Sequence, residues 1–358
     1  MKKILKTLPG IGISVLIAVV ATLIEKILPI HVIGASVIAL FIGIIINNFL
    51  KQDNVFTQGI KFTSKKILKF AIIILGLSLN INNILYAGKL SLIVMIFTLL
   101  TCFGGGYFIG KALKLNWKLS NLISAGTGIC GGSAIAAIAP TIEADDTDVA
   151  IAMSATFLFD MAMIVLFPLL GRAVGMSDEA FGIWAGTAVN DTSSVVATGY
   201  AFSEAAGDFA TMVKLTRTLS IIPTVLIFAL IQLNLKKKEA KLNETTDSFI
   251  KLKFSFTKIF PWFIIGFVVM SIITTILEPR LTTSANFSYS DFVKITKIIS
   301  KFLMVSALAA IGLNTSFSKM KKSGLRPMIH GFVISALVVI VALVVEICLG
   351  LVEQNDFF

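Results

Sequence analysis

Apolar runs of around 20 residues follow one another from Leu8 to Gly350, separated by short polar joints. Each run is long enough to cross a hydrocarbon core about 30 Å thick. A bilayer admits only helices or closed barrels, because backbone polar groups find no water there. Barrel strands need only about 10 residues, so runs of this length are read as helices. They are placed at about 8–27, 31–50, 66–86, 90–110, 119–140, 149–171, 180–200, 209–233, 259–278, 297–317 and 327–350. The composition agrees, with 56% hydrophobic and 14% charged residues, where a soluble domain carries about a quarter charged. The expected fold is an all-α polytopic membrane protein of about eleven transmembrane helices. It forms one membrane domain over 1–358, with eight spans in 1–233, a Lys-rich cytoplasmic linker at 234–258 and three spans in 259–358.

The net charge of +11 would suggest nucleic acid for a soluble chain. Here the cations gather in alternate joints: Lys2, Lys3, Lys6; Lys51, Lys61, Lys65, Lys66; Lys111, Lys114, Lys118; Arg172; Lys236, Lys237, Lys238, Lys241; and Lys319, Lys321, Lys322, Arg326. The other joints hold Lys89, Arg280, Lys294 and Lys297 with the acidic run Glu143, Asp145, Asp146, Asp148. Such asymmetry orients a membrane protein, so the N-terminus is expected in the cytoplasm and the C-terminus outside an inner or plasma membrane. Leu8–Ile24 behind M-K-K-I-L-K has the look of a signal peptide, but no small-x-small site follows, so an uncleaved first span is expected. Cys102, Cys130 and Cys348 show no disulfide or zinc spacing. His31, His330 and Glu346 lie near span ends and read as interfacial residues.

One stretch departs from plain spanning helix. Ser124–Pro140 reads S-A-G-T-G-I-C-G-G-S-A-I-A-A-I-A-P. Interior glycine costs a helix about 1 kcal/mol relative to Ala, so Gly126, Gly128, Gly131 and Gly132 together should break it near the bilayer midplane. Broken backbone is tolerated at that depth only against protein or a water-filled cavity. Sixty positions on, Trp184–Tyr200 repeats the pattern, with Gly126, Thr127 and Ser133 matched by Gly186, Thr187 and Ser193, and Asp148 further on by Asp208. With every span crossing, these copies would run parallel, so either one re-enters or the likeness is local. A second echo, offset by 236, matches Ser64, Ala71, Gly76 and Leu77 with Ser300, Ala307, Gly312 and Leu313. Those copies should point in opposite directions, as in the inverted repeats of many secondary transporters.

Charges retained inside lipid usually face a cavity, a partner or a substrate. Asp160, Asp191, Lys214 and Arg217 are the candidates. Lys214 and Arg217 share a helix face, and Arg grips an oxyanion bidentately while Lys adds a point charge. With Thr127, Gly128, Cys130, Gly131, Ser133, Asn190, Asp191, Thr192, Ser193 and Asn314 they would form a small-anion site, Asp160 or Asp191 serving coupling. The plainer alternative is that the cations pair with Asp160 and Asp191 or snorkel to an interface. Neutralising both cations is expected to remove anion binding and spare the fold. Gly126–Gly131 matches G-x-G-x-x-G, but its flanks are apolar helices and not a βαβ unit. There is no H-E-x-x-H, no G-x-S-x-G, no metal cluster and no cofactor motif. An enzyme is not expected, and neighbouring cations disfavour an Asp160–Asp191 protease dyad.

The A-G-T-G-I-C-G-G-S, N-D-T-S-S-V-V-A-T-G-Y, V-K-L-T-R and G-L-N-T-S…G-L-R-P runs resemble the YeiH-type sulfate-exporter family, over about Ile33 to Leu349. The family looks related to bile-acid symporters and cation/proton antiporters. The resemblance implies crossing broken helices, a panel moving against a core, and export of a small oxyanion such as sulfate or sulfite. The family's second motif often has His before the acid where this chain has Asn190. The expected activity is secondary-active transport of a small inorganic or organic anion by alternating access. The alternatives are a cation/proton antiporter using Asp160 or Asp191, and a non-transporting receptor or intramembrane enzyme. A proton or sodium coupling ion and a homodimer remain open as partners beside the lipid bilayer; no nucleic acid is expected.

Overall fold

The computed structural model describes residues 2–27, 35–47, 49, 55–242, 262–281, 289–315 and 324–352. His31, Ser316, Lys319, Lys321, Lys322 and the 243–258 part of the linker lie outside the described residues. Among the described residues all regular structure is helical. In chain order the helices are α1 (Lys2–Ile27), α2 (Ala35–Asn47), α3 (57–76), α4 (Ile81–Ala112), α5 (Trp117–Ala125) and α6 (Gly132–Ile138). Then come α7 (Asp146–Ala173), α8 (Asp178–Ala188), α9 (Thr192–Phe202), α10 (Glu204–Thr218), α11 (Ile221–Leu242), α12 (Trp262–Leu281), α13 (Tyr289–Asn314) and α14 (Leu325–Cys348). Among the described residues, six stretches are long and apolar enough to cross a bilayer: Thr7–Ile27, Ile81–Ala112, Thr147–Ala173, Glu204–Leu235, Tyr289–Asn314 and Leu325–Cys348. The chain is a polytopic membrane protein.

Each expected span corresponds to one helix or to a pair of them, with two revisions. The third, expected at 66–86, is the 57–76 helix. L-S-L-N reads as apolar, but Asn80 takes an extended conformation and its side chain accepts from the Asn82 amide at 2.9 Å, starting α4. Such a cap ends one helix and begins the next.

The second revision concerns the 119–140 and 180–200 segments, which turn back on themselves. Asn116, which caps α5, donates from Nδ2 to Asp148 Oδ2 at 2.9 Å, and Lys118 Nζ donates to the Glu143 carbonyl at 2.7 Å. The start of α5 and the start of α7 therefore lie side by side, and α5–α6 is a hairpin. The acidic run Glu143–Asp148, expected opposite Lys111–Lys118, shares their end. Likewise Ser203 Oγ donates to Asp178 Oδ1 at 2.5 Å, and the Phe181 and Phe202 rings stack at 4.0 Å, so α8–α9 is a second hairpin. Arg172, at the far end of α7, donates to the Ala201 and Phe202 carbonyls at 2.9 and 3.0 Å. Helix α7 has 28 residues, about 42 Å at 1.5 Å per residue. The two hairpins thus open toward opposite ends of it.

The helices group into two bundles. One gathers α4–α11 and α14 around the hairpins; the other packs α1, α2, α3, α12 and α13. In the second, glycines let backbones touch, as is common between helices in lipid. A Cβ on Gly43 or Gly312 would collide with the backbone of the other helix, α2 against α13. Gly76, the partner of Gly312 in the 236-residue echo, abuts the Phe267 carbonyl of α12 in the same way. The bundles meet through apolar residues of α2 and α13 (Val37, Leu40, Ile44, Leu308) against Met161, Ile164, Ala197 and Ala201.

Candidate functional site

The hairpin tips meet each other. Gly131 has φ +65° and ψ −133°, a conformation that L side chains rarely adopt. It separates α6 from a π turn over Gly126–Cys130. The second tip breaks at Val189–Asp191, where Val189 (φ −74°, ψ 138°) and Asp191 (φ −90°, ψ 146°) are extended and no glycine is present. Gly131 and Asp191 are equivalent in the 60-residue echo. They also touch: a Cβ at Gly131 would lie 2.9 Å from Asp191 Cβ and Oδ1.

Helix ends leave amides and carbonyls without partners, and at this depth side chains must supply them. Asp160 of α7 accepts from the Asn190 amide on Oδ1 and the Asp191 amide on Oδ2, both at 2.9 Å. Asp191 caps α9 through the Ser193 amide at 2.9 Å, and the Ser193 hydroxyl also donates to it. On the carbonyl side, Arg217 Nε donates to Gly128 O and Nη2 to Thr127 O, each at 2.7 Å, and Nη1 to Val189 O at 3.3 Å. Lys214 Nζ donates to Val189 O at 2.9 Å. Carboxylates at helix N-terminal amides and cations at helix C-terminal carbonyls are each the favourable sign for the helix dipole. Asp160 is 1% exposed and both cations 0%, so neither cation snorkels. Their donors go to backbone carbonyls, and no ion pair joins them to Asp160 or Asp191 among the described residues.

Of the other expected site residues, Thr127, Gly128, Cys130, Asn190, Thr192 and Ser193 are buried at the tips, and Asp191 is half-buried. Ser133 lies just beyond the first tip with an exposed side chain. Asn314 ends α13 in the second bundle and is exposed, beside Thr315, whose carbonyl accepts from Asn47 Nδ2 at 2.5 Å. It is not brought to the crossing. Sequence reasoning missed Ser335 of α14, whose hydroxyl sits 3.2 Å from Asn190 Nδ2 and 3.4 Å from Thr127 Oγ1 and so links the two tips. A lone Ser in an apolar span was its only signal. Asn190 Oδ1 is buried with no hydrogen-bond partner among the described residues.

Two residues read as interfacial are instead buried. His330 is 0% exposed, with Nε2 3.2 Å from Ser120 Oγ, and ties α14 to α5. Glu346 is also 0% exposed, neither oxygen having a hydrogen-bond partner among the described residues. Cys102 and Cys130 are buried free thiols and Cys348 an exposed one.

A family profile described as "Conserved hypothetical protein 698" matches residues 9–331. A UPF0324 membrane protein of Clostridium tetani is 52% identical over 346 residues, covering 95% of this chain and 97% of its own. The chain belongs to the UPF0324 family. This is the YeiH-type family that the glycine-rich and N-D-T-S-S motifs resemble. Further UPF0324 membrane proteins, from Streptococcus agalactiae and Fusobacterium nucleatum, are 40% and 39% identical, over 96% and 90% of this chain and 98% and 92% of theirs. The UPF0324 likeness thus spans both hairpins and both bundles.

Proposed function

We propose that this chain is a secondary-active carrier of a small oxyanion, such as sulfate or sulfite, working by alternating access between the two bundles. The observation that carries the reading is the contact of two helix breaks at Gly131 and Asp191, with Lys214, Arg217 and Asp160 buried around it. Broken helices that meet inside a membrane protein and expose backbone groups to a shared hollow are how many carriers bind their substrates. Seen as a unit, hairpin α5–α6 followed by α7 is repeated by hairpin α8–α9 followed by α10–α11. A single long helix separates the hairpins, so the two units point in opposite senses, which favours an inverted repeat over a local likeness.

The cations supply the positive field that favours an anion. To contact it directly they must exchange a carbonyl for an anion oxygen, and Arg makes that exchange readily because its fork suits both. For coupling, Asp191 is favoured over Asp160. Both oxygens of Asp160 hold backbone amides, whereas Asp191 is half-buried at the tip. That same half-open carboxylate is the observation behind the second reading, cation/proton exchange. Purified protein in lipid vesicles distinguishes them. Uptake of radiolabelled sulfate or sulfite against internal unlabelled anion supports the first reading. Cation flux driven by a pH gradient with no anion flux supports the second and overturns the first.

A further inference from the structure

Away from the hairpin tips, the seam between α10 and α13 holds a cleft of about 510 Å3. It lies near the N-terminal ends of both helices, at the end where α8–α9 opens. Lys294, Lys297 and Lys301 line it from one face of α13, since residues three and four apart are neighbours on a helix. Glu204 and Asp208 line it from α10, with Tyr200 and Tyr289 beside them. Lys297 Nζ meets Asp208 Oδ2 at 2.6 Å and Lys301 Nζ meets Glu204 Oε1 at 2.9 Å. Tyr200 donates its hydroxyl to Asp208 Oδ1 at 2.6 Å. Lys294 is exposed and has neither an ion pair nor a hydrogen bond among the described residues. Three ammonium groups thus face two carboxylates, and both ion pairs join a helix of one bundle to a helix of the other.

We propose that this cleft is an anion antechamber, in which Glu204 and Asp208 hold lysines that an incoming small oxyanion takes over. The proposal rests on the anion-carrier reading and adds to it a second site, distinct from the hairpin tips. Lys294 supplies the first contact, because no carboxylate occupies it. The anion then displaces Asp208 from Lys297, and Asp208 keeps the Tyr200 hydroxyl as its partner. Since the displaced carboxylates belong to the other bundle, filling the cleft also releases α10 from α13 at this end.

The test compares sulfate binding by the full-length protein in detergent, using radiolabelled sulfate at low salt, with sulfite and phosphate as competitors. Asp208→Asn and Glu204→Gln remove a like charge from the anion's surroundings. Each is expected to tighten sulfate by about tenfold, the order set by one unit charge a few Å away at a surface-like dielectric. Lys294→Gln and Lys297→Gln are expected to weaken it by a similar factor. An ion-pair latch with no anion site would give no such opposition of sign, since either partner's loss breaks the same pair. Unchanged binding in Glu204→Gln and Lys294→Gln, both at exposed positions, overturns the proposal. Vesicle flux separates it from the carrier reading. Sulfate flux with one half-saturation value in all four variants sinks the antechamber alone. Tighter sulfate binding by Asp208→Asn with no flux in wild type sinks the carrier reading and leaves the cleft as an anion-binding site that feeds no transport.

Discussion

Arg217→Gln should loosen the first hairpin tip and destabilise the protein. Arg217 is fully buried and gives two short bonds, to Thr127 O and Gly128 O at 2.7 Å, and a longer one to Val189 O at 3.3 Å. Hydrogen bonds to a charged group contribute about 1.5–3 kcal/mol each. Neutral interhelical bonds in membranes average only about 0.6 kcal/mol, because the alternative state also finds partners. The tip has few alternatives: Thr127 and Gly128 are buried in a π turn that ends beside Gly131. The charged figure therefore governs the two short bonds, and a Gln that keeps one of them should cost about 2–4 kcal/mol. Arg217→Lys retains the charge but not the fork and should cost about half as much. Two assays read this: the midpoint of SDS unfolding, and the rate at which a maleimide alkylates Cys130 in a Cys348→Ser background. Cys130 is 1% exposed beside the tip, so its alkylation should rise in Arg217→Gln, with Cys130→Ser as the blank. Wild-type stability together with wild-type protection of Cys130 would refute the pinning argument. The sequence-based expectation that both cations can be neutralised without cost to the fold changes accordingly.

Cysteines placed at Asn116 and Asp148 should react with a membrane-impermeant thiol reagent from one side of sealed vesicles, and cysteines at Asp178 and Ser203 from the other. Reaction of Asn116→Cys and Asp148→Cys from opposite sides would show that 119–140 crosses and does not return. Gly131→Ala places a methyl on Asp191 in a backbone region that costs a side chain about 1–3 kcal/mol. It should lower the unfolding midpoint more than Gly132→Ala, whose added Cβ meets nothing closer than Met153 Cε at 3.8 Å. Gly312→Val forces α13 away from the Leu40 carbonyl of α2 and should cost about 1–3 kcal/mol as overpacking does, measured by the same SDS titration. Equal midpoints for Gly312→Val and wild type would mean the helices are not in backbone contact.

Much of this was legible in the chain itself. Span positions follow from length and apolarity, and the break at Gly131 from glycine crowding. The equivalence of Gly131 and Asp191 lay in the 60-residue echo, although its meaning did not. Hydropathy cannot separate a helix that crosses from two half-helices that return, because both bury similar side chains. The deciding signals were short polar contacts between ends, Asn116 with Asp148 and Ser203 with Asp178, which are pairwise facts invisible to a one-dimensional reading. The same limit explains the second tip. Val189-Asn190-Asp191 carries no helix breaker, and its extended conformation is held by Asp160, 30 residues earlier. The three-residue spacing of Lys214 and Arg217 puts them on one helix face, but their partners are main-chain carbonyls, which no side-chain pattern reveals. Asn314 ends an echoed helix and so reads as polar lining, whereas packing sets it, exposed, at the end of a second-bundle helix.

The kinds of contact in each region bear on where the molecule can move. Inside the second bundle, backbone meets backbone at Gly43 and Gly312, an arrangement that shape fixes closely. Inside the first, charged side chains pin both tips, and Ser335 joins them. Those bonds are directional and cannot slide. The seam between the bundles is different, since Val37, Leu40, Ile44 and Leu308 lie on apolar partners, Met161, Ile164, Ala197 and Ala201, which offer few directional bonds. At one end, two ion pairs between α10 and α13 supply what the apolar surface lacks. Apolar contact is non-directional, so relative motion should be least opposed along this seam and most opposed within either bundle. Under the carrier reading the tips would then travel as one body with α7 and α10, and access would alternate because the second bundle covers first one end of the crossing and then the other.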